Sequence, residues 1–314
     1  MTAYIIRRLV AVPVVLLILS IGVFFMVDAI PGDIVAAKLE NSYTPARAEA
    51  LRAYLGLDRP VMVRYFDWLG GIFQGDFGNS LFNDKPVREE LWKRLPVTLE
   101  LGLMTLLMSS IVGVGAGIIA GVRQNGVSDQ LLRFISIFGL AIPVFVAATL
   151  VVGLPPVYSD WSVKFGYVHF LDDPLANLAQ VSIPAAVGAL GFSAILLRLT
   201  RVQVLEVLRQ DYVRTARAKG LLGFTVIWRH VLKNAMIPVI TVVGLSLGGM
   251  VSGSVFLEQI FSLPGLGRYI VNSVNQSDYP AVQAFVLLAG VVFTLVNLVI
   301  DLAYTVLDPR IRYS

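Results

Sequence analysis

The chain has no cysteine and only two histidines among its 314 residues. The first absence removes disulfides, a thiol nucleophile and any cysteine metal site. His169 and His230 fall in different polar segments, so histidines alone build no metal centre. Charge is scarce as well: 15% of residues are Asp, Glu, Lys or Arg, against 56% hydrophobic. Soluble domains carry about 25% charged residues, so a soluble globular fold is excluded. Also missing are a G-x-x-x-x-G-K-[ST] phosphate loop, an H-E-x-x-H pair and a G-x-S-x-G elbow. Gly113-Val114-Gly115-Ala116-Gly117 does not replace the phosphate loop, because it sits inside an apolar run with no strand before it and no acidic partner. No catalytic residue, cofactor or metal ligand is therefore assigned.

What the chain has is long apolar runs. Six stand out, at about 9–30, 97–121, 131–153, 178–199, 235–257 and 282–305. A helix needs roughly 20 apolar residues to cross a bilayer, so the expectation is an all-α membrane protein with about six spans. The first run is read as a retained span: it is too long for a signal peptide, and Pro31-Gly32-Asp33 follows it instead of a small-residue cleavage site. Pro143, Pro184 and Pro238 each remove a backbone donor and can kink spans three, four and five. Glu100 and Asp301 are carboxyls within apolar runs, open to hydrogen bonding between helices or to proton coupling.

Glycine is placed with a pattern. Gly113, Gly117 and Gly121 recur every fourth residue in the second run and make a smooth stripe that another backbone can approach. The fifth run holds Gly244, Gly248, Gly249 and Gly253 with Ser246, Ser252 and Ser254. An uncharged wall of this kind suits a path for a polar solute, and Ser246, Gly249, Ser252 and Gly253 are the candidates for it.

Basic residues set the orientation. Arg7 and Arg8 open the chain, Arg123 and Arg133 outweigh Asp129 after the second run, and Arg310 and Arg312 outweigh Asp308 in the tail. The segment after the fourth run has Arg198, Arg201, Arg209, Arg214, Arg217, Lys219, Arg229 and Lys233 against Glu206 and Asp211. Both termini are thus expected in the cytoplasm, in a multi-pass protein. Nucleic-acid binding does not account for a basic excess confined to loops between spans. The implied divisions are 1–30 for the N-terminus and first span, 31–95 outside, 96–308 for the core with a polar segment at 201–237, and 309–314 for the tail. Residues 31–95 hold nine acidic and nine basic residues. Thr44-Pro45 can cap and start a helix there, and Gly56 to Pro60 can end it. This segment reads as a helical collar, either packed for itself or touching a partner.

The densest information lies at 211–238, DYVRTARAKGLLGFTVIWRHVLKNAMIP. A helix is expected to leave the fourth span at Arg201, with Leu205, Leu208 and Tyr212 on one face, and to continue through Thr215 to Lys219. Gly220 suits a left-handed helix end. A second amphipathic helix is expected to run to Asn234, burying Val226, Ile227, Val231 and Leu232. On charge alone, such a segment could simply lie on lipid head groups. Two short helices around a Gly turn also suit docking on a soluble partner.

This segment resembles the cytoplasmic coupling loop of ABC importer permeases. Their general pattern is Glu-Ala-Ala, three residues, Gly, nine residues and Ile-x-Leu-Pro. Aligned on Gly220, only Ala216, Gly220 and Leu232 match. The dipeptide/oligopeptide/nickel branch has a different form, and DYVRTARAKG at 211–220, RHVLKNA at 229–235 and Pro238 resemble it. Tyr4-Ile5-Ile6-Arg7-Arg8-Leu9, Ile30-Pro31-Gly32-Asp33, Gly75-Asp76-Phe77-Gly78, Phe261 to Arg268 and Asp308 to Tyr313 are also similar to that branch. Residues 154–176 depart from it. The resemblance implies a type I importer permease fold in a bacterial or archaeal cytoplasmic membrane. It implies as partners a second permease subunit, separate ATPase subunits and an extracytoplasmic solute-binding protein, in lipid and without nucleic acid. It implies ATPase docking through Asp211, Arg214, Thr215, Ala216, Arg217, Ala218, Lys219 and Gly220. The solute it implies is a peptide, or alternatively a nickel chelate or another small solute. A secondary transporter would need coupling charges and usually repeats, and would leave the basic segment unexplained. A receptor that moves no solute is the other rival.

Overall fold

The computed structural model describes residues 2–29, 35, 39, 44–54, 56–249 and 254–307. Its helices are α1 (Thr2–Asp28), α2 (Pro45–Tyr54), α3 (Val61–Phe73), α4 (Val87–Val122), α5 (Val127–Ala141), α6 (Val144–Gly153), α7 (Pro174–Leu208), α8 (Asp211–Ala218), α9 (Gly223–Gly248), α10 (Val255–Ile260), α11 (Leu266–Asn275) and α12 (Tyr279–Leu307). Apart from one isolated bridge, Asn79 to Pro86, the described residues form no β-structure. Among the described residues, five helices are long and apolar enough to cross a membrane: α1, α4, α7, α9 and α12. α5 and the stretch Val144–Tyr158, which is α6 with a further helical turn at Pro155–Tyr158, are bent by 92° and make a sixth if they are one span.

That bend comes from Pro143. The residue before a proline is pushed out of the helical region, and Ile142 is extended, with φ −87° and ψ 115°. Pro184 and Pro238, by contrast, lie inside α7 and α9, which continue through them. The third run is therefore not one straight span. The fifth run is displaced as well: its helix begins at Gly223, well before residue 235, and stops at Gly248. The fourth run is extended at both ends. Asp173 caps α7 by accepting the Leu175 and Ala176 amides at 3.1 and 3.0 Å, with Pro174 in the first turn. Gln180, a polar intrusion in the fourth run, and Asn177, just before it, hold the preceding loop: Val168 donates to Gln180 at 2.8 Å, and Asn177 donates to the Val168 carbonyl at 2.9 Å.

The chain divides into two compact units, Met1–Pro96 with Gly265–Ser314, and Val97–Pro264. In the first, Gly290 of α12 leaves room for Leu19 of α1. Tyr65 and Trp68 of α3 pack edge-on and tilted against Phe24 of α1. Arg64 pairs with Asp28. Asp278 accepts from the Ser80 hydroxyl and the Leu81 amide. Thr44 caps α2 through the Arg47 amide at 3.3 Å, and Gly56 follows it at φ 66°.

In the second unit α7 is the centre. Alanine-sized atoms added at Gly113, Gly117 and Gly121 of α4 would lie 2.5 Å from the Ser193 carbonyl, 2.6 Å from Thr200 Cβ and 2.7 Å from Val204 Cγ1. Gly139 of α5 meets α7 the same way at the Leu190 carbonyl. The glycine stripe is thus a packing surface, and α4 lies backbone to backbone on α7. Gly115, between the contacts, has open space.

A substitution contrast follows. Gly117→Val should lower the thermal midpoint of the detergent-solubilised chain, overpacking costing about 1–3 kcal/mol. Gly115→Val should leave it nearly unchanged. Equal effects of the two in a thermal unfolding scan would contradict this packing.

Candidate docking site

Helix α7 enters the basic segment but does not run through it. It stops at Leu208, and Gln210 turns extended with ψ 146° before α8 begins. The expected continuous helix from Arg201 to Lys219 is therefore broken at Arg209-Gln210. The gain is burial: after the break, Val213 and Ala216 face a core of Val204, Val226, Val231, Leu232 and Ala235. Leu205 and Leu208 are only half-buried and Tyr212 is exposed, so the predicted apolar face was misplaced by one or two positions. Val226, Val231 and Leu232 are buried as expected, and Ile227 is half-buried.

Gly220 ends α8 with φ 78°. The Gly220 amide donates to the Arg217 carbonyl at 3.0 Å and the Leu221 amide to the Ala216 carbonyl at 3.4 Å. These are the two bonds of a Schellman end, which satisfies carbonyls a helix terminus would otherwise leave bare. No neighbour lies within 4 Å of where a Gly220 Cβ would sit, so backbone conformation alone selects glycine.

The second helix of the expected pair is the start of α9, continuous to Gly248. Val226–Val231 is wound as a π-helix, whose wider turn frees backbone groups. The His230 carbonyl there accepts from Tyr212 Oη at 3.3 Å and from Asn234 Nδ2 at 3.4 Å, while Asn234 also donates to Tyr212 at 2.8 Å. This triad ties α8 to α9. Asp211, Arg214, Thr215, Arg217, Ala218 and Lys219 stay exposed, and Ala216 is the anchor beneath them. Arg214 makes a long, solvent-exposed pair with Asp211 at 3.5 Å. Four exposed apolar residues were not anticipated: Leu221, Leu222, Phe224 and Trp228, the last two with ring centroids 5.8 Å apart. They make the turn an apolar tip with a basic rim. Their signal was present in the sequence, as bulky side chains directly after the helix-ending glycine.

The base under this element is fixed electrostatically. Asp129, counted above among loop charges, is fully buried in the first turn of α5. Arg201 of α7 donates to both its oxygens, at 2.7 and 2.9 Å, and the Asn125 amide adds a bond at 2.9 Å. Arg133 approaches at 3.3 Å from a half-exposed position. Arg198 reaches Ser136 of α5 at 3.4 Å. Arg198 and Arg201 are thus helix–helix ties and not free loop charges.

Of the path candidates, Ser246 and Gly249 line a cavity of about 270 Å³ with Thr105, Gly188, Phe192 and Ser254. Ser252 and Gly253 lie outside the described residues, as do Ile30 to Asp33 and the tail. Glu258, one residue past the fifth apolar run and not singled out by sequence, is fully buried in α10 and accepts from Thr98 at 2.8 Å and Ser254 at 2.6 Å. Glu100 accepts from Tyr167, whose phenol is pushed up from its ordinary value by burial and then by this bond. Among the described residues, no three His, Cys, Asp or Glu side chains cluster as a metal site.

Comparison with known proteins decides the family. Residues 113–313 match the model of the binding-protein-dependent transport system inner membrane component, and residues 1–102 match the N-terminal model of the same membrane component. This chain belongs to that family. It is a multi-pass permease subunit of an ATP-driven importer and not itself a catalyst. It is 38% identical over 314 residues, the whole of both chains, to a protein of Brucella abortus provisionally named a peptide transport system permease. It is 37% identical over 334 aligned positions to the dipeptide transport system permease protein DppB of Alkalihalophilus pseudofirmus, again covering both chains fully. The crystal structure of an amino acid ABC transporter with histidines matches with a TM-score of 0.55 at 12% identity, covering 68% of this chain and 92% of that chain, which shows the fold. The family assignment removes the secondary-transporter and receptor readings.

The Asp129–Arg201 tie has its own test. Asp129→Leu leaves a largely buried guanidinium without its partner and should cost roughly 3–5 kcal/mol. Adding Arg201→Leu should restore much of that loss. Strictly additive losses in thermal unfolding of the purified permease would contradict the tie.

Proposed function

We propose that this permease imports short peptides, and that the α8–α9 turn is the element an ATPase subunit grips. The peptide reading is supported by relatives that match over their full length and are named for peptide or dipeptide transport. A nickel chelate is the alternative cargo within the same branch. A second permease subunit completes the path, ATP is bound and hydrolysed on separate chains, and a solute-binding protein delivers the cargo from outside. Both termini and residues 201–237 face the cytoplasm, and 31–95 face outward.

The observation that carries the docking reading is the Schellman-ended α8. Its exposed side bears Arg214, Arg217 and Lys219, and its buried side is locked on Val204, Val226 and Val231. Packed elements move as units. A force applied at the turn therefore acts on α7 and α9 together, and α9 ends at the cavity that Ser246 lines. ATP closure can shift the transport equilibrium only by the difference in how it holds the two states. A turn with one defined shape makes that difference large.

Gly220→Val should uncouple the assembled importer, since a left-handed residue with a Cβ costs roughly 1–2 kcal/mol. Uptake into proteoliposomes should fall on the order of tenfold while membrane insertion is kept. Gly220→Asn, which tolerates that conformation, should retain most uptake. Normal uptake and normal cargo-stimulated ATP hydrolysis in Gly220→Val would remove the turn from the coupling path.

A further inference from the structure

The cavity at the end of α9 has a chemical polarity. Its described lining carries no Asp, Glu, Lys, Arg or His side chain. Its polar side chains are three hydroxyls, of Ser246, Ser254 and Thr105, and two of the three have already used their protons. Ser246 donates to the Val242 carbonyl at 2.8 Å. Ser254 donates to Glu258 Oε1 at 2.6 Å, behind the wall. A hydroxyl that has given its single proton has only lone pairs left to offer. The third, Thr105 Oγ1, is buried without a partner among the described residues and is able to turn either way. Gly188 keeps the wall open beside it: a Cβ there would lie 3.1–3.2 Å from Thr105 and 2.8 Å from Leu257.

Glu258 is what fixes this polarity. The same oxygen also accepts from Thr98 at 2.8 Å. The Ser254 proton is thereby drawn away from the cavity, as the Val242 carbonyl draws that of Ser246, and the hydrogen-bond chain through Glu258 polarises the outward lone pairs of Ser254 further. An anionic group entering the cavity meets acceptors and no charged donor. An ammonium or amide N–H meets partners on two walls.

We propose that this cavity is a hydrogen-bond-accepting subsite that takes the ammonium or N–H end of the solute, with Ser254 as the specificity-determining residue and Glu258 as its positioning residue. The proposal rests on the reading of Ser246 and Gly249 as path residues.

The absence of native cysteine makes the test direct. Ser246→Cys, in the assembled complex in membranes, is modified with two small thiosulfonate reagents, one ending in an ammonium group and one in a sulfonate. Each rate, read by mass spectrometry on this chain, is divided by the reagent's rate with a free thiol. The ammonium reagent should be favoured on the order of tenfold, as befits a hydrogen bond to a charged group. Adding Ser254→Ala should bring the ratio most of the way to one. A ratio near one, a preference for the sulfonate, or a preference unmoved by Ser254→Ala overturns the subsite while leaving the path reading intact. Failure of both reagents to react, with the thiol titratable after denaturation, overturns both the path reading and the subsite that depends on it.

Discussion

Helix α7 has to be approached by bare backbone. Gly113, Gly117 and Gly121 give α4 that access, and Gly139 gives it to α5. In a bilayer, lipid is as apolar as a helix surface, so burial of apolar area drives helices together only weakly. Close packing and hydrogen bonds do the work. The glycine contacts supply the packing. Asp129, held by Arg201 and the Asn125 amide, supplies a directional tie at one end of the same helix. The other features of this unit hang on α7: its last turns carry Val204 into the core under α8, and its middle carries Gly188 into the cavity wall.

From this base the docking reading becomes a mechanical one. A helix of eight residues has no stability of its own in water. α8 keeps its shape because Val213 and Ala216 are buried and its last carbonyls are satisfied by the Gly220 turn. The Tyr212–His230–Asn234 bonds then join it to α9 across a π-wound turn. Its outer face is left to charge, and past the turn the first residues of α9 add the exposed Phe224 and Trp228. Exposed charge pairs contribute little on their own and are screened by salt. The aromatic tip, excluded from any internal core, offers the apolar centre that lasting interfaces need.

Much of this was legible in the residues. The four-residue glycine spacing gave the close helix contact, Thr44-Pro45 gave a capped start, and Gly220 gave a left-handed stop. Other features were not, for physical reasons. Pro143, Pro184 and Pro238 look alike in sequence, yet only Pro143 lies at a sharp break, because neighbouring packing decides whether a kinked helix continues. The break at Arg209-Gln210 has no glycine or proline to announce it; it exists because it lets Val213 and Ala216 reach their core. Asp129 was counted as a loop charge and Glu258 passed over because sequence shows a carboxyl but not its partners. Arg201 lies 72 residues from Asp129, and Thr98 lies 160 from Glu258.

The central claim is that an ATPase subunit grips the turn after α8. A photo-crosslinking residue in place of Phe224, activated in membranes holding the assembled importer, tests it most directly. The account predicts adducts at the combined mass of this chain and an ATPase subunit, formed at the exposed tip. Adducts with lipid alone, or with none of the ATPase subunits, would contradict it.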